Sequence, residues 1–207
     1  MKTLFNKIFD IFVGNLHWFI SIFLLIYIIT PILSPVFFHL GLNRYGWWIQ
    51  TIYKFLCHQR PERSIFLFGS KFTYSLEELA AHGYKGRILG YTFAGNTELG
   101  YKIAFCARDT FMYGAMAISG LIVNIVKKTI KIKWWILILI TLPMLIDGGV
   151  QFVSELLFLT QNQAVSNLAE PFYLSNNLTR AITGTIFGAG MGIFIISELK
   201  DAVTQKI

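Results

Sequence analysis

Long apolar runs separated by short polar breaks dominate the chain, and their lengths predict helices that cross a membrane. A helix needs about 20 predominantly apolar residues to span the hydrocarbon core. The first run, Ile11 to Leu42, is long enough for one crossing, with an irregular end expected near Pro31 and Pro35. The second, Tyr45 to Cys57, is shorter and holds Gln50 and Lys54 beside Trp47 and Trp48, which fits a re-entrant or interfacial helix. A third run begins near Ile103 and ends at Val126. A fourth extends from Trp134 to about Leu159 with Pro143 inside, and a fifth from about Asn177 to Ser197. The pattern predicts an all-α integral membrane protein with about four transmembrane helices and one short helix. Residues 1–207 would form a single membrane domain.

Composition excludes a soluble fold. Of 207 residues, 55% are hydrophobic and 14% charged, against about 25% charged in a typical soluble domain. The net charge of +7 comes from basic residues at the ends of apolar runs, where they meet anionic lipid headgroups. No basic face or motif points to nucleic acid. Membrane lipids are the expected partners, and the sequence leaves the oligomeric state open. The aromatic residues, 16% of the chain, suit an anchoring belt at the membrane boundaries. Met1 to Asp10 leads into the first run without a small-residue cleavage site, so the segment reads as a retained helix rather than a removable signal.

Short basic loops stay in the cytoplasm. Lys127, Lys128, Lys131 and Lys133 lie between the third and fourth long runs, Lys2 and Lys7 precede the first, and Lys200 and Lys206 follow the last. Four crossings with both termini cytoplasmic, in the cell membrane, satisfy all three groups. Residues 58–102 then form an outer-face segment, expected to have little regular structure, that carries Arg60, Arg63, Lys71, Lys85, Arg87 and Lys102. Inside it, Ser75 to Glu78 reads as a capping box opening a helix, and Gly83 as its stop.

Helical rise places the polar residues at one depth. Asp147 lies 13 residues after Trp134, about 20 Å along a core about 30 Å thick, so it falls in the outer half. Cys106, Arg108 and Asp109 open the third run, Asn176, Asn177 and Arg180 open the fifth, and Cys57 and His58 close the short second one. Cys106 and Asp109 share a helix face, and so do Asp147, Gln151 and Glu155. Asn176 and Arg180 begin a stripe continued by Gly184, Gly188 and Gly192, a spacing that lets a neighbouring helix approach closely. Glu155, further outward, reads as solvated.

Four motifs, CHQRPERS (Cys57 to Ser64), CARDT (Cys106 to Thr110), IDGGVQ (Ile146 to Gln151) and SNNLTRAITG (Ser175 to Gly184), occur in this order. Together they resemble a family of prokaryotic membrane proteins, domain of unknown function 2085, over about Cys57 to Gly192. The resemblance implies a small multi-helix membrane protein and no particular activity. Many family members carry a second cysteine where this chain has Asp109. That departure weakens a purely redox role and leaves Asp109 a metal ligand in kind.

Two chemistries compete at the cysteines. Thiolate, imidazole and carboxylate are all zinc ligands, so Cys57, His58, Cys106 and Asp109 are candidates to hold zinc or another divalent metal. The alternative is a Cys57–Cys106 disulfide. A second group has catalytic candidates Asp147, Gln151 and Arg180, with Arg60, Arg108, Asn176 and Asn177 as substrate ligands. Guanidinium groups match phosphate oxygens with paired hydrogen bonds, so the expected ligand is a phosphorylated lipid or its headgroup, with Asp147 a general base or metal ligand. An Asp–Arg pair that only joins two helices is the structural alternative. At the level of function, a headgroup-acting enzyme or binding protein stands beside a transporter or lipid translocator and a structural accessory subunit. Neither an H-E-x-x-H nor a G-x-S-x-G signature occurs.

Overall fold

A computed structural model describes residues 4–86, 92–126, 129–160 and 173–204. The expected basic positions Lys2, Arg87, Lys127, Lys128 and Lys206 lie outside the described residues. Four helices are long and apolar enough to cross a membrane: α2 (Leu16–His39), α5 (Ala107–Val126), α6 (Trp134–Thr160) and α7 (Asn177–Thr204). α1 (Leu4–Gly14) precedes them, and the short α3 (Asn43–Tyr53) follows α2. Large apolar side chains such as Phe23 and Ile26 on α2, and Leu139, Leu145 and Phe152 on α6, are exposed. In a chain of this composition these surfaces face lipid. The protein is a multi-pass, mainly helical membrane protein.

α2 continues through both prolines to His39, where the sequence predicted an irregular end. Proline at position 31 removes the amide that would bond the Tyr27 carbonyl. Tyr53 of α3 supplies the missing donor, its hydroxyl lying 2.8 Å from that oxygen. A neighbouring side chain thus re-satisfies the freed backbone group, the condition under which membrane helices tolerate proline.

α5 and α7 run parallel and in close contact through the predicted glycine stripe. A Cβ at Gly188 would lie 2.0 Å from the Met112 carbonyl oxygen, and one at Gly192 would lie 2.5 Å from that of Met116. α6 runs antiparallel to α7, with Gly190 under Ile140. α2 runs antiparallel to α5, where the Asn124 amide donates to Ser21 Oγ at 2.9 Å and to the His17 carbonyl at 3.2 Å. The start of α2 and the end of α7 therefore share one end of the bundle with Lys131 and Lys133.

The opposite end carries more structure than expected for residues 58–102. A 3-10 turn (Pro61–Arg63) leads into β1 (Ser64–Leu67), followed by α4 (Leu76–Ala81), β2 (Gly95–Asn96) and β3 (Gly100–Cys106). The strands form an antiparallel sheet in the order β1-β3-β2, with Phe66 opposite Lys102 and Gly95 opposite Tyr101. Ser75 and Glu78 make the predicted capping box at α4, and Gly83 stops the turn at φ +93°. Phe66, Tyr74, Leu76, Leu79, Tyr84 and Leu99 form a buried core beneath this cap. The third apolar run is also divided: Ile103 to Cys106 is strand, and the helix opens only at Ala107. β3 is buried on both faces, so its sequence lacks alternation and reads the same as the start of a buried helix.

Candidate functional site

The site is assembled where the sheet passes into the bundle. β3 leads directly into α5, so Cys106 closes the strand while Arg108 and Asp109 stand in the first helical turn. α7 meets this turn through Gly184, whose Cβ would lie 2.7 Å from the Arg108 carbonyl oxygen. Arg180, one turn earlier on α7, is thereby delivered beside Arg108. Cys57 arrives from the loop after α3, which Gln59 pins in place. The fully buried Gln59 amide donates to the Gln50 carbonyl at 2.8 Å and to the Ala104 carbonyl at 3.1 Å, two residues from Cys106. Gln59 holds a left-handed φ of 50° to do so, a conformation that costs a non-glycine residue on the order of 1 kcal/mol.

These segments enclose a cavity of about 260 Å³ lined by Leu56, Cys57, His58, Gln59, Arg60, Arg63, Cys106, Arg108, Asp109, Gln151 and Arg180. Four guanidinium groups and one carboxylate therefore face one space. Arg180 is 2% exposed and donates to Gln151 Oε1 at 2.8 Å, and Gln151 in turn donates to Glu155 Oε1 at 2.9 Å. Arg108 pairs with Asp147 Oδ2, while the Tyr173 hydroxyl donates to Asp147 Oδ1 at 2.8 Å. Arg63 pairs with Glu155, and Arg60 lies 3.4 Å from the same oxygen. The Nε atoms of Arg108 and Arg180 are buried and, among the described residues, without a hydrogen-bond partner.

Cys57 Sγ, Cys106 Sγ and an Asp109 carboxylate oxygen all lie within 4.8 Å of one another, and both cysteines are free thiols. The Asp109 backbone amide donates to Cys106 Sγ at 3.5 Å. The Cys106 thiol hydrogen-bonds to Cys57, which holds the Cys57 pKa below its ordinary value. The same contact, with burial, pushes Cys106 well up.

Cys57, His58, Arg60, Cys106, Arg108, Asp109, Gln151 and Arg180 gather around one cavity, and their pairings differ from a direct Asp147–Arg180 contact. Asp147 faces Arg108 rather than Arg180, and Gln151 is the residue that holds Arg180. His58 lines the cavity outside the Cys57–Cys106–Asp109 donor group. Asn176 caps α7, its Oδ1 accepting from the Thr179 amide at 2.7 Å, and Asn177 donates to the Glu62 carbonyl at 3.2 Å. Neither asparagine lines the cavity. Glu155, expected to be solvated, is paired with Arg63 and Arg60 and accepts a hydrogen bond from Gln151.

Lys102, counted among outer basic residues, is fully buried, with Nζ 2.9 Å from Gln50 Oε1. Burial pushes its pKa down to about 7. Sequence reasoning also passed over Arg63, Gln59 and Tyr173. The first two stand inside CHQRPERS, where the run of polar residues was the available signal. Nothing in the sequence singles out Tyr173.

Residues 97–194 match the model of a family described as predicted membrane protein, DUF2085. CARDT, IDGGVQ and SNNLTRAITG all fall within the match, while CHQRPERS precedes it. The chain is also similar to an uncharacterised protein of Methanocaldococcus jannaschii, 26% identical over 190 residues that cover 88% of this chain and 91% of the relative. No solved structure matches. Over residues 97–194, which carry three of the four motifs, the chain is thus similar to the predicted membrane proteins of the DUF2085 family.

Proposed function

We propose that the arginine-lined cavity binds the phosphorylated headgroup of a lipid. One observation carries this reading: Arg108 and Arg180, from two helices in backbone contact, each bring an incompletely bonded guanidinium group with a buried Nε to a cavity that Arg60 and Arg63 also line. Buried donors without acceptors cost about 1–3 kcal/mol each, and more for charged groups. An anion with several oxygens would relieve that cost. In this reading Arg108 and Arg180 are the ligands and Arg60 completes the cradle. Asp147 orients Arg108, and Gln151 orients Arg180. The lysine-rich end of the bundle would lie in the cytoplasm of a cell and the cavity at the outer leaflet.

The test is calorimetry on the detergent-solubilised chain with inorganic phosphate and short-chain phosphatidic acid, and with phosphatidylcholine as the control. Phosphatidic acid should bind more tightly than phosphatidylcholine, and Arg180→Met should weaken it by more than about tenfold. Equal binding by wild type and Arg180→Met would overturn the proposal. The Arg108–Asp147 pair supports a second reading in which the cluster only joins α5 to α6. Lack of binding to any of the three probes would favour it.

A further inference from the structure

We propose that Cys57, Cys106 and Asp109 bind one zinc-class divalent cation at the wall of this cavity, with a fourth coordination position open to the space between the arginines. The three donor atoms come from two separate segments and already lie within 4.8 Å of one another. Tetrahedral zinc with sulfur at about 2.3 Å needs donors about 3.8 Å apart, so closure requires only a small contraction. Two soft thiolates beside one hard carboxylate select zinc over magnesium or calcium.

Two further features fit a metal better than a structural thiol pair. Cys106 Sγ accepts the Asp109 backbone amide, and such outer-shell donors orient metal-bound ligands and tune their charge. The carboxylate is also held apart from the arginines around it. Arg60 and Arg63 are engaged by Glu155, and Arg108 by Asp147. That leaves Asp109, among the described residues, without a cationic partner in a cavity that four arginines line. A carboxylate kept free of salt bridges and turned toward two thiols is placed for a cation.

Three protein ligands leave one position for water or substrate. That position would open on the cavity that Arg180 also lines, so a phosphate oxygen could bind the metal while the guanidinium groups hold the others. This last clause rests on the headgroup reading above. Binding releases the two thiol protons to solvent, and no electron transfer is involved.

The reduced, chelator-treated protein in detergent is titrated with Co²⁺ as a spectroscopic probe and with Zn²⁺. The expected result is one metal per chain, a thiolate-to-cobalt charge-transfer band, and protection of both thiols from a disulfide-exchange reagent by Zn²⁺. Asp109→Ala should weaken cobalt binding by more than about tenfold while both thiols remain titratable, which shows the variant retains its cysteines in reduced form. Cys57→Ser should remove part of the charge-transfer intensity.

Cobalt that produces no charge-transfer band, with thiols unprotected by zinc, would overturn the site. So would two missing thiols without metal in protein purified without reductant or chelator, since that is a disulfide. Inorganic phosphate added to the cobalt form separates the two proposals. A shift in the visible spectrum supports the open position, and an unmoved spectrum beside an intact charge-transfer band supports the metal while overturning its shared phosphate.

Discussion

Two buried polar networks lie side by side at the sheet end of the bundle, and they are built on different principles. In the first, Ser34, Gln50, Gln59 and Lys102 link α2, α3 and β3. Gln50 donates to Ser34 Oγ at 3.0 Å and to the Lys102 carbonyl at 3.1 Å, and it accepts from Lys102 Nζ at 2.9 Å. Its atoms are largely matched, Gln59 Oε1 being the exception among the described residues, and the partners are mainly backbone carbonyls. The second network, around Arg108, Asp109, Asp147, Gln151 and Arg180, is richer in charge, surrounds a cavity and keeps two guanidinium nitrogens unbonded. A network that closes on the backbone holds the fold. One that closes on a cavity and stays incomplete is suited to a ligand.

The largest effect should come from breaking the closed network. Gln50→Leu leaves the Lys102 ammonium without the acceptor it now has, so unfolding in detergent should fall by about 3 kcal/mol. Gln50→Leu combined with Lys102→Met, apolar on both sides, should recover to within about 1 kcal/mol of wild type. Failure of the double variant to recover would mean that Lys102 is not the source of the cost.

Gly184→Ala attacks the α5–α7 contact that frames the second network. Its Cβ would meet the Arg108 carbonyl at 2.7 Å, so scanning fluorimetry should report a loss of about 1–3 kcal/mol. Phosphate affinity should fall with it, because Arg108 must move.

Arg180→Met should separate the open network from the closed one. Phosphate binding should drop by more than about tenfold, or about 1.4 kcal/mol, with stability unchanged or raised because a buried cation is gone. A large loss of stability with binding intact would make Arg180 a structural residue.

A smaller effect is expected from pH. Lys102 titrates near 7 in the folded protein against an ordinary value of 10.5. Between those values the unfolded chain holds the extra proton, so stability rises with pH, by at most about 1.4 kcal/mol per unit. Below pH 7 this contribution is flat. The rise from pH 7 to 8 should be shallower in Lys102→Met, and equal slopes would exclude Lys102 as the titrating group. Lys71→Ala, which removes an exposed partner of Glu78, should change neither stability nor phosphate binding.

Much of this architecture was legible from run length and spacing. The lengths distinguished four spanning helices from the short α3, because bilayer thickness sets a residue count. Ser75 and Glu78 announced α4 through local capping chemistry, and Gly184, Gly188 and Gly192 announced a close helix contact through their period. Rise per residue brought Asp147, Arg108, Arg180, Cys57 and Cys106 to one depth.

Depth along a helix does not specify which neighbour a side chain meets. Asp147 and Arg180 were level, yet helix rotation and the order of packing set Asp147 against Arg108 and Arg180 against Gln151. Nor could the pattern separate β3 from the start of α5, since a strand buried on both faces has no alternation to display. The burial of Lys102 depended on Gln50, distant in sequence, arriving with an acceptor to offset the desolvation of its amine. Local chemistry and bilayer thickness act within one segment and can be read along it. Pairing, burial and cavity shape arise between segments, and only the tertiary contacts decide them.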